Sequence, residues 1–168
     1  FEGGRLVRGE DDVLNELDEN AIEAAVQLKE SEEDAGREAE VIALTMGPED
    51  AEDALMRALQ MGADRAFLVS DEFLEGSDVI TTASVLSVAI AKISDECGPV
   101  DLVVTGMASL DAMTSMLPGA LAAKAHMPLL GLARTLSVED GVATIERSVD
   151  GFTETLRAAL PAVVSVTD

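Results

Sequence analysis

The chain has 168 residues, 48% of them hydrophobic, enough apolar material for one domain with a substantial core. Its 33 acidic residues against 11 basic ones leave a net charge of −22, and no cluster of lysine and arginine stands anywhere along it, which argues against nucleic acid or an anionic membrane surface as a partner. The one cysteine, Cys97, excludes an internal disulfide, and no apolar run approaches the roughly 20 residues of a membrane span, so a cytoplasmic protein with no direct membrane insertion is expected. The acidity fits either a high-salt cytoplasm or a strongly solvated surface.

In chain order, residues 1–8 alternate around Gly3-Gly4 as a weak hairpin, and 9–17 form an acidic connection. Asp18 then caps a helix through Leu28, with Ala21, Ile22, Ala25 and Val26 at helical spacing, and 31–40 read as a polar linker. Val41 to Leu44 is a buried strand ending at Thr45-Met46-Gly47-Pro48. Pro48, Glu49 and Asp50 suit a first helical turn, where a missing N–H costs nothing and acids favour the helix dipole. Ala51, Ala54, Leu55, Ala58 and Met61 form that helix's inner face, Gly62 caps its end, and Ala66 to Val69 is the next strand. Ser77 or Asp78 caps a long helix whose Val79, Ala83, Leu86, Ile90 and Ile93 recur every three or four residues. Leu102 to Val104 has the β-branched pattern of a central strand, and a helix follows at about 116–125.

This β-α repeat, seen three times, predicts an α/β fold with a doubly wound, mostly parallel sheet. After Pro128 the period changes. Leu130 to Val138, Val142 to Ser148, Phe152 to Arg157 and Ala162 to Val166 read as strands, with turns at Glu139-Asp140-Gly141 and Asp150-Gly151. A single domain is expected, with a parallel core over about 18–128 and an antiparallel C-terminal extension over about 129–168.

The stretch from Val103 to Gly119 carries most of the functional signal. A buried strand breaks at Gly106 into a small-residue loop and restarts as a helix, and in an open α/β sheet such a junction aims unpaired backbone N–H groups and the positive end of the helix dipole beyond the strand's carboxyl end. Phosphate is the expected guest; the bland alternative is that Thr114 or Asp111 only caps the helix and Gly106 only turns the chain. Without Trp or Tyr, and with four Phe, the chain has little with which to stack on a flavin or a base. His126, alone near a helix end, reads as a partner of the C-terminal dipole and not as a catalytic base, and no Ser-His-Asp set, paired catalytic carboxylates or metal-ligand spacing is found, so no enzyme activity is expected.

Several stretches together resemble the β subunit of electron transfer flavoproteins: Asn15-Glu16-Leu17-Asp18-Glu19-Asn20-Ala21, Thr45-Met46-Gly47-Pro48, Met61-Gly62-Ala63-Asp64, Val100-Asp101-Leu102-Val103 before the Gly106 loop, and Leu160-Pro161-Ala162-Val163-Val164. The resemblance implies a Rossmann-like, adenine-nucleotide-binding fold and an electron carrier subunit. It implies a heterodimer with an α subunit that holds most of a redox-active FAD, a structural AMP buried in the β subunit (or, as in some relatives, a second FAD in its place), and dehydrogenases as electron donors. The family's nucleotide positions fall on Asn15, Glu16, Leu17 and Asp18, on Met46, and on Gly106, Met107, Ala108, Ser109, Leu110, Asp111, Ala112, Met113, Thr114, Ser115, Met116 and Leu117. Here the loop holds no basic residue, so phosphate is left to N–H groups and the Thr114 and Ser115 hydroxyls, with Asp111 accepting loop amides and a ribose hydroxyl and the methionines serving as filler or adenine contact. Family chains are longer at both ends, so a strand before Phe1 and, after Asp168, a dehydrogenase-docking loop and an arm around the α subunit are expected outside this chain. The competing reading is a stand-alone adenine-nucleotide sensor of similar fold, which would be colourless and need no flavin partner.

Overall fold

A computed structural model describes residues 14–109 and 114–167; the hairpin expected over 1–8 lies outside them. The first helix, α1, spans Glu16–Asp34 and is capped by Asn15, not by Asp18 as expected. It also continues past Leu28 into the stretch expected as a linker. Residues 29–34 lack an apolar period but contain good helix formers, Lys29 pairs with Glu33 one turn on at 3.8 Å, and Arg37 folds back onto Glu32 at 2.8 Å, placing a cation near the negative end of the helix.

Strand β1 (Ile42–Met46) leads through Pro48 into a 3-10 turn at Glu49–Ala51 and then α2 (Glu52–Met61), so the proline and acids do open the helix, by a tighter turn. Leu55 and Ala58 are buried, with Ala51, Ala54 and Met61 half-buried beside them. Gly62 ends α2 at φ +120°, a conformation glycine adopts at no steric cost. Strand β2 (Arg65–Val69) lies parallel to β1, with Ile42 opposite Arg65 and Met46 opposite Val69. Asp64 fastens the start of that pair: its carboxylate accepts the Val41 N–H at 2.8 Å and the Lys29 ammonium, and its own N–H reaches the Val41 carbonyl at 2.8 Å. Helix α3 (Val79–Cys97) is capped by Asp78, which accepts from the Thr81 N–H at 2.7 Å, while Ser77 donates to the Leu74 carbonyl. Cys97, half-buried at its last turn, accepts from Arg65 at 3.1 Å.

Strand β3 (Leu102–Gly106) and helix α4 (Leu117–Ala125) complete the third β-α unit. Five strands follow: β4 (Leu129–Ala133), β5 (Thr135–Glu139), β6 (Val142–Val149), β7 (Phe152–Ala159) and β8 (Ala162–Val166). Here the expected antiparallel extension over 129–168 is corrected. Only β5, β6 and β7 are antiparallel; β8 inserts between β3 and β4 and is parallel to both. Alternation of apolar residues reports burial and not strand direction, but all five residues of β8 are buried, as a central parallel strand requires. The single strand expected over Leu130 to Val138 is likewise two. Leu132 sits at φ +62°, the register shifts between Leu130 and Ala133, and that bulge turns the chain from one sheet into the next.

Successive residues of β3 face opposite sides of the sheet, and both sides are covered. Leu102 and Val104 pack on a core of Ala21, Leu130, Ala133, Ala143, Ile145, Val164 and Val166, which joins α1 to β4, β6 and β8. Val103 packs on a second core, Ala83, Ile90 and Leu121 of α3 and α4, together with Leu44 of β1. Helices on both faces of a parallel strand are the doubly wound arrangement, and the first turn of α1 lies against the carboxyl end of β3.

Candidate site at the carboxyl end of β3

The first turn of α1 is fastened to the end of β3. Asn15 caps α1 by accepting the Leu17 N–H at 3.3 Å, and its amide donates to the Asp18 carboxylate at 2.8 Å and, across 93 residues, to the Ala108 carbonyl at 2.9 Å. Relieved of capping, Asp18 turns its other carboxylate oxygen onto the Gly106 N–H at 2.8 Å. Gly106 is buried, and a Cβ there would lie 2.5 Å from the Leu17 carbonyl oxygen and 2.7 Å from the Asp18 carboxylate. The glycine is therefore needed for close approach of α1, and the N–H expected to face phosphate is taken by Asp18. Accepting a loop amide, the role expected of Asp111, falls to Asp18 at this position.

Past Ala108 the loop closes on itself, Ser109 donating its N–H to the Thr114 carbonyl at 3.0 Å. Leu110, Asp111, Ala112 and Met113 lie outside the described residues. The Thr114 hydroxyl oxygen accepts the Met116 N–H at 3.2 Å, which leaves its own O–H available to donate. Helix α4 has no side-chain cap, and its first turn carries N–H groups without intrahelical acceptors, less the one that Pro118 lacks. Ser115 and Met116 are exposed just before α4, Met116 at 57%. Hydroxyls and helix-terminal amides are donors suited to a phosphate, and an exposed methionine beside them offers apolar contact for a base.

Asn15, Leu17, Asp18, Gly106 and Ala108 are thus brought into one contact group, and Ser109, Thr114 and Met116 into the loop that continues from it. Glu16 is exposed and Met107 half-buried. Met46 ends β1 in the other parallel sheet, and among the described residues no hydrogen bond joins it to the group. Asn15 as the cap that also holds Ala108 was not read from the residues, although Asn followed by three acids within four positions is a helix-start signal. His126 ends α4 in the left-handed region at φ 55°, a helix terminus as expected. A broad surface hollow of about 660 Å³ lies elsewhere, between the C-terminal end of α1 and Asp64, where Lys29, Arg37 and Glu40 are already paired.

An α/β fold with helices on both faces of its parallel strands, and a loop and helix N-terminus after a strand's carboxyl end, defines a Rossmann-like protein. A family model described as electron transfer flavoprotein domain matches residues 4–168, and the chain belongs to that family. It is 42% identical over 158 residues to the electron transfer flavoprotein subunit beta of Mycobacterium leprae, covering 94% of this chain and 58% of that one. It is 34% identical over 163 residues to the caffeyl-CoA reductase-Etf complex subunit CarD of Acetobacterium woodii, covering 96% and 59%, and 35% identical over 157 residues to protein FixA of Sinorhizobium fredii, covering 92% and 53%. The chain therefore spans somewhat more than half the length of the curated relatives it matches. Among the described residues no helix is long and apolar enough to cross a membrane.

Proposed function

We propose that this chain supplies the β-subunit part of a heterodimeric electron carrier, non-catalytic in itself, which binds a structural AMP at the carboxyl end of β3 and helps hold an FAD that belongs mainly to the α subunit. When bound, the flavin supplies the redox chemistry, electrons arriving from dehydrogenases and leaving to an acceptor. The chain's own residues bind and orient. The free O–H of Thr114, the Ser115 hydroxyl and the first-turn amides of α4 hold the phosphate, in charge-assisted bonds that need no basic side chain. Met46, Met107 and Met116, with Leu110, Asp111, Ala112, Met113 and Leu117, border adenine and ribose, and the turn of Asn15 to Asp18 forms the wall behind them.

The observation that carries this reading is the junction of β3 with the first turn of α1, held by hydrogen bonds spanning 88 and 93 residues on the positions that the family resemblance assigns to nucleotide. Coexpression of the full-length protein with an α subunit, followed by size exclusion and by chromatography of whatever denaturation releases, tests it. A yellow heterodimer releasing AMP and FAD in comparable amounts is expected. A flavin-free monomer that ignores the α subunit, or a heterodimer that releases FAD alone, overturns the partner or the AMP assignment respectively.

A further inference from the structure

The geometry points to Asp18 as the positioning residue of the nucleotide loop: it touches no ligand, and its two carboxylate oxygens hold the backbone of Gly106 directly and that of Ala108 through Asn15. The inference rests on the nucleotide reading above and gives Asp18 a different part in it from that of a contact residue.

A carboxylate is a poor direct neighbour for a phosphate, and here each oxygen of Asp18 is engaged by a donor of the protein itself. One accepts the Gly106 N–H at 2.8 Å, the other the Asn15 amide at 2.8 Å, and the same amide donates to the Ala108 carbonyl at 2.9 Å. The chain leaving β3 is thereby fixed at Gly106 and at Ala108, immediately before Ser109 enters its bridge to Thr114. Without that hold, Met107 and Ala108 would be free to swing, and Thr114 and the first turn of α4 would meet a phosphate only in a fraction of loop arrangements. Apparent affinity falls by that fraction. The absence of a Cβ on Gly106 completes the device, since it allows the Leu17 backbone to come close enough for Asp18 to reach the amide. Among the acids of this turn, Glu16 is exposed and Glu19 pairs with Arg57 at 3.2 Å, so the inward role is particular to Asp18 and not a general effect of negative charge at a helix start.

The test uses the full-length protein with its α subunit, comparing parent, Asp18→Ala, Asp18→Asn and, as control, Glu19→Gln. AMP affinity of nucleotide-stripped protein is measured by calorimetry, and amide hydrogen exchange is followed by mass spectrometry. Asp18→Ala is expected to weaken AMP about tenfold or more and to speed exchange over 106–109 while leaving 162–166 unchanged. Asp18→Asn, which keeps an acceptor for the Gly106 N–H but sets two amide donors facing at Asn15, falls between, so it also serves should the alanine variant fail to fold. Glu19→Gln matches the parent in both readouts. Parent-like loop exchange and AMP binding in Asp18→Ala overturns the assignment. A parent that binds no AMP overturns the nucleotide reading alone: faster loop exchange in Asp18→Ala then still supports the holding role, and unchanged exchange overturns both.

Discussion

Gly62 and Gly106 both lie against α1, but they are glycines for different reasons. Gly62 ends α2 at φ +120°, and a Cβ on it would stand 3.2 Å from both methyl carbons of Val26, side-chain atoms that can give way. Gly106 ends a strand, and a Cβ on it would stand 2.5 Å from the Leu17 carbonyl oxygen, a backbone atom in a helix that cannot give without moving. One glycine answers a conformational demand and the other a demand for space. The first belongs to the scaffold and the second to the site, because what presses on Gly106 is the turn that also holds Ala108.

The largest effect is therefore expected at Gly106. Gly106→Ala has to push α1 away from β3 and break the Asp18 bond, at a cost of about 3 kcal/mol or more in stability, and should abolish AMP retention. Gly62→Ala has only to adopt an unfavourable φ and press on Val26, about 1 kcal/mol, and Gly62→Val about 1–2 kcal/mol or more. Denaturant titration of the three variants checks the order. If Gly62→Ala proves as damaging as Gly106→Ala, α1 is seated by its middle and not by its first turn, and the comparison reverses.

Thr114→Val sharpens the contrast from the ligand side. It keeps the shape of the loop and removes the hydroxyl that accepts from Met116 and can donate to a ligand, so AMP binding should weaken by about 1.5–3 kcal/mol, roughly 10- to 150-fold, with a much smaller change in the melting temperature of nucleotide-free protein. Equal loss in both measurements would make Thr114 a helix cap and nothing more.

Charge sets a third test. Helix α1 carries eight acids and one lysine, −7 of the chain's net charge of −22, and so packs against a remainder that is itself strongly negative. Its docking is opposed by repulsion that salt screens, the screening length shrinking from about 10 Å at 0.1 M to about 3 Å at 1 M. Exchange protection over 16–34 should rise with added sodium chloride more than that over β8, whose five residues are buried and carry no charge. Equal gains in both would mean that salt acts on the whole fold and not on this helix.

Much of the architecture was legible because local physics and the fold agreed: the three parallel strands, two of which run two residues beyond the expected ends at Leu44 and Val104, the cap at Gly62, and the inner faces of α2 and α3 follow from periodicity and glycine. What was hidden depended on contacts distant in sequence. The start of α1 at Asn15 is settled partly by the bond from its side chain to Ala108, which freed Asp18 from the cap assigned to it, and no local signal announces a partner 93 residues away. The extension of α1 to Asp34 lacks an apolar stripe and rests on charged side chains. The parallel placement of β4 and β8 was hidden for another reason: a run such as Ala162 to Val166 specifies burial on both faces but leaves the neighbours and their direction to topology. At the site, the break of the strand at Gly106 and the helix that follows could be read off, whereas the occupation of the Gly106 N–H by Asp18 could not.

The smallest expected effect is at Asp64, which belongs to the scaffold side of the comparison. The hydrogen bond it accepts from Lys29, with the Val41 N–H second, holds the Asp64 carboxyl below the usual carboxylate range, and the same bond, donated to Asp64, holds the Lys29 ammonium above the usual lysine value. The two signs work in opposite directions along the pH axis. A carboxyl with a depressed pKa stabilises the fold above its unfolded value of 3.8 and loses that contribution as pH falls through the folded pKa; an amine with a raised pKa stabilises below its unfolded value of 10.5 and loses it as pH rises through the folded pKa. Asp64→Asn keeps an acceptor for Val41 and deletes only the pairing with Lys29. The difference in melting temperature between parent and variant should accordingly be small, constant between about pH 5 and pH 9, and should close at both extremes, whatever the remaining acids do to the absolute stability of either protein. Both partners are near the surface, so salt should shrink the difference as well. A difference that stays unchanged both when the carboxylate is protonated at the acid end and when the lysine is deprotonated at the alkaline end would remove the ion pair from the account of how β1 and β2 are joined.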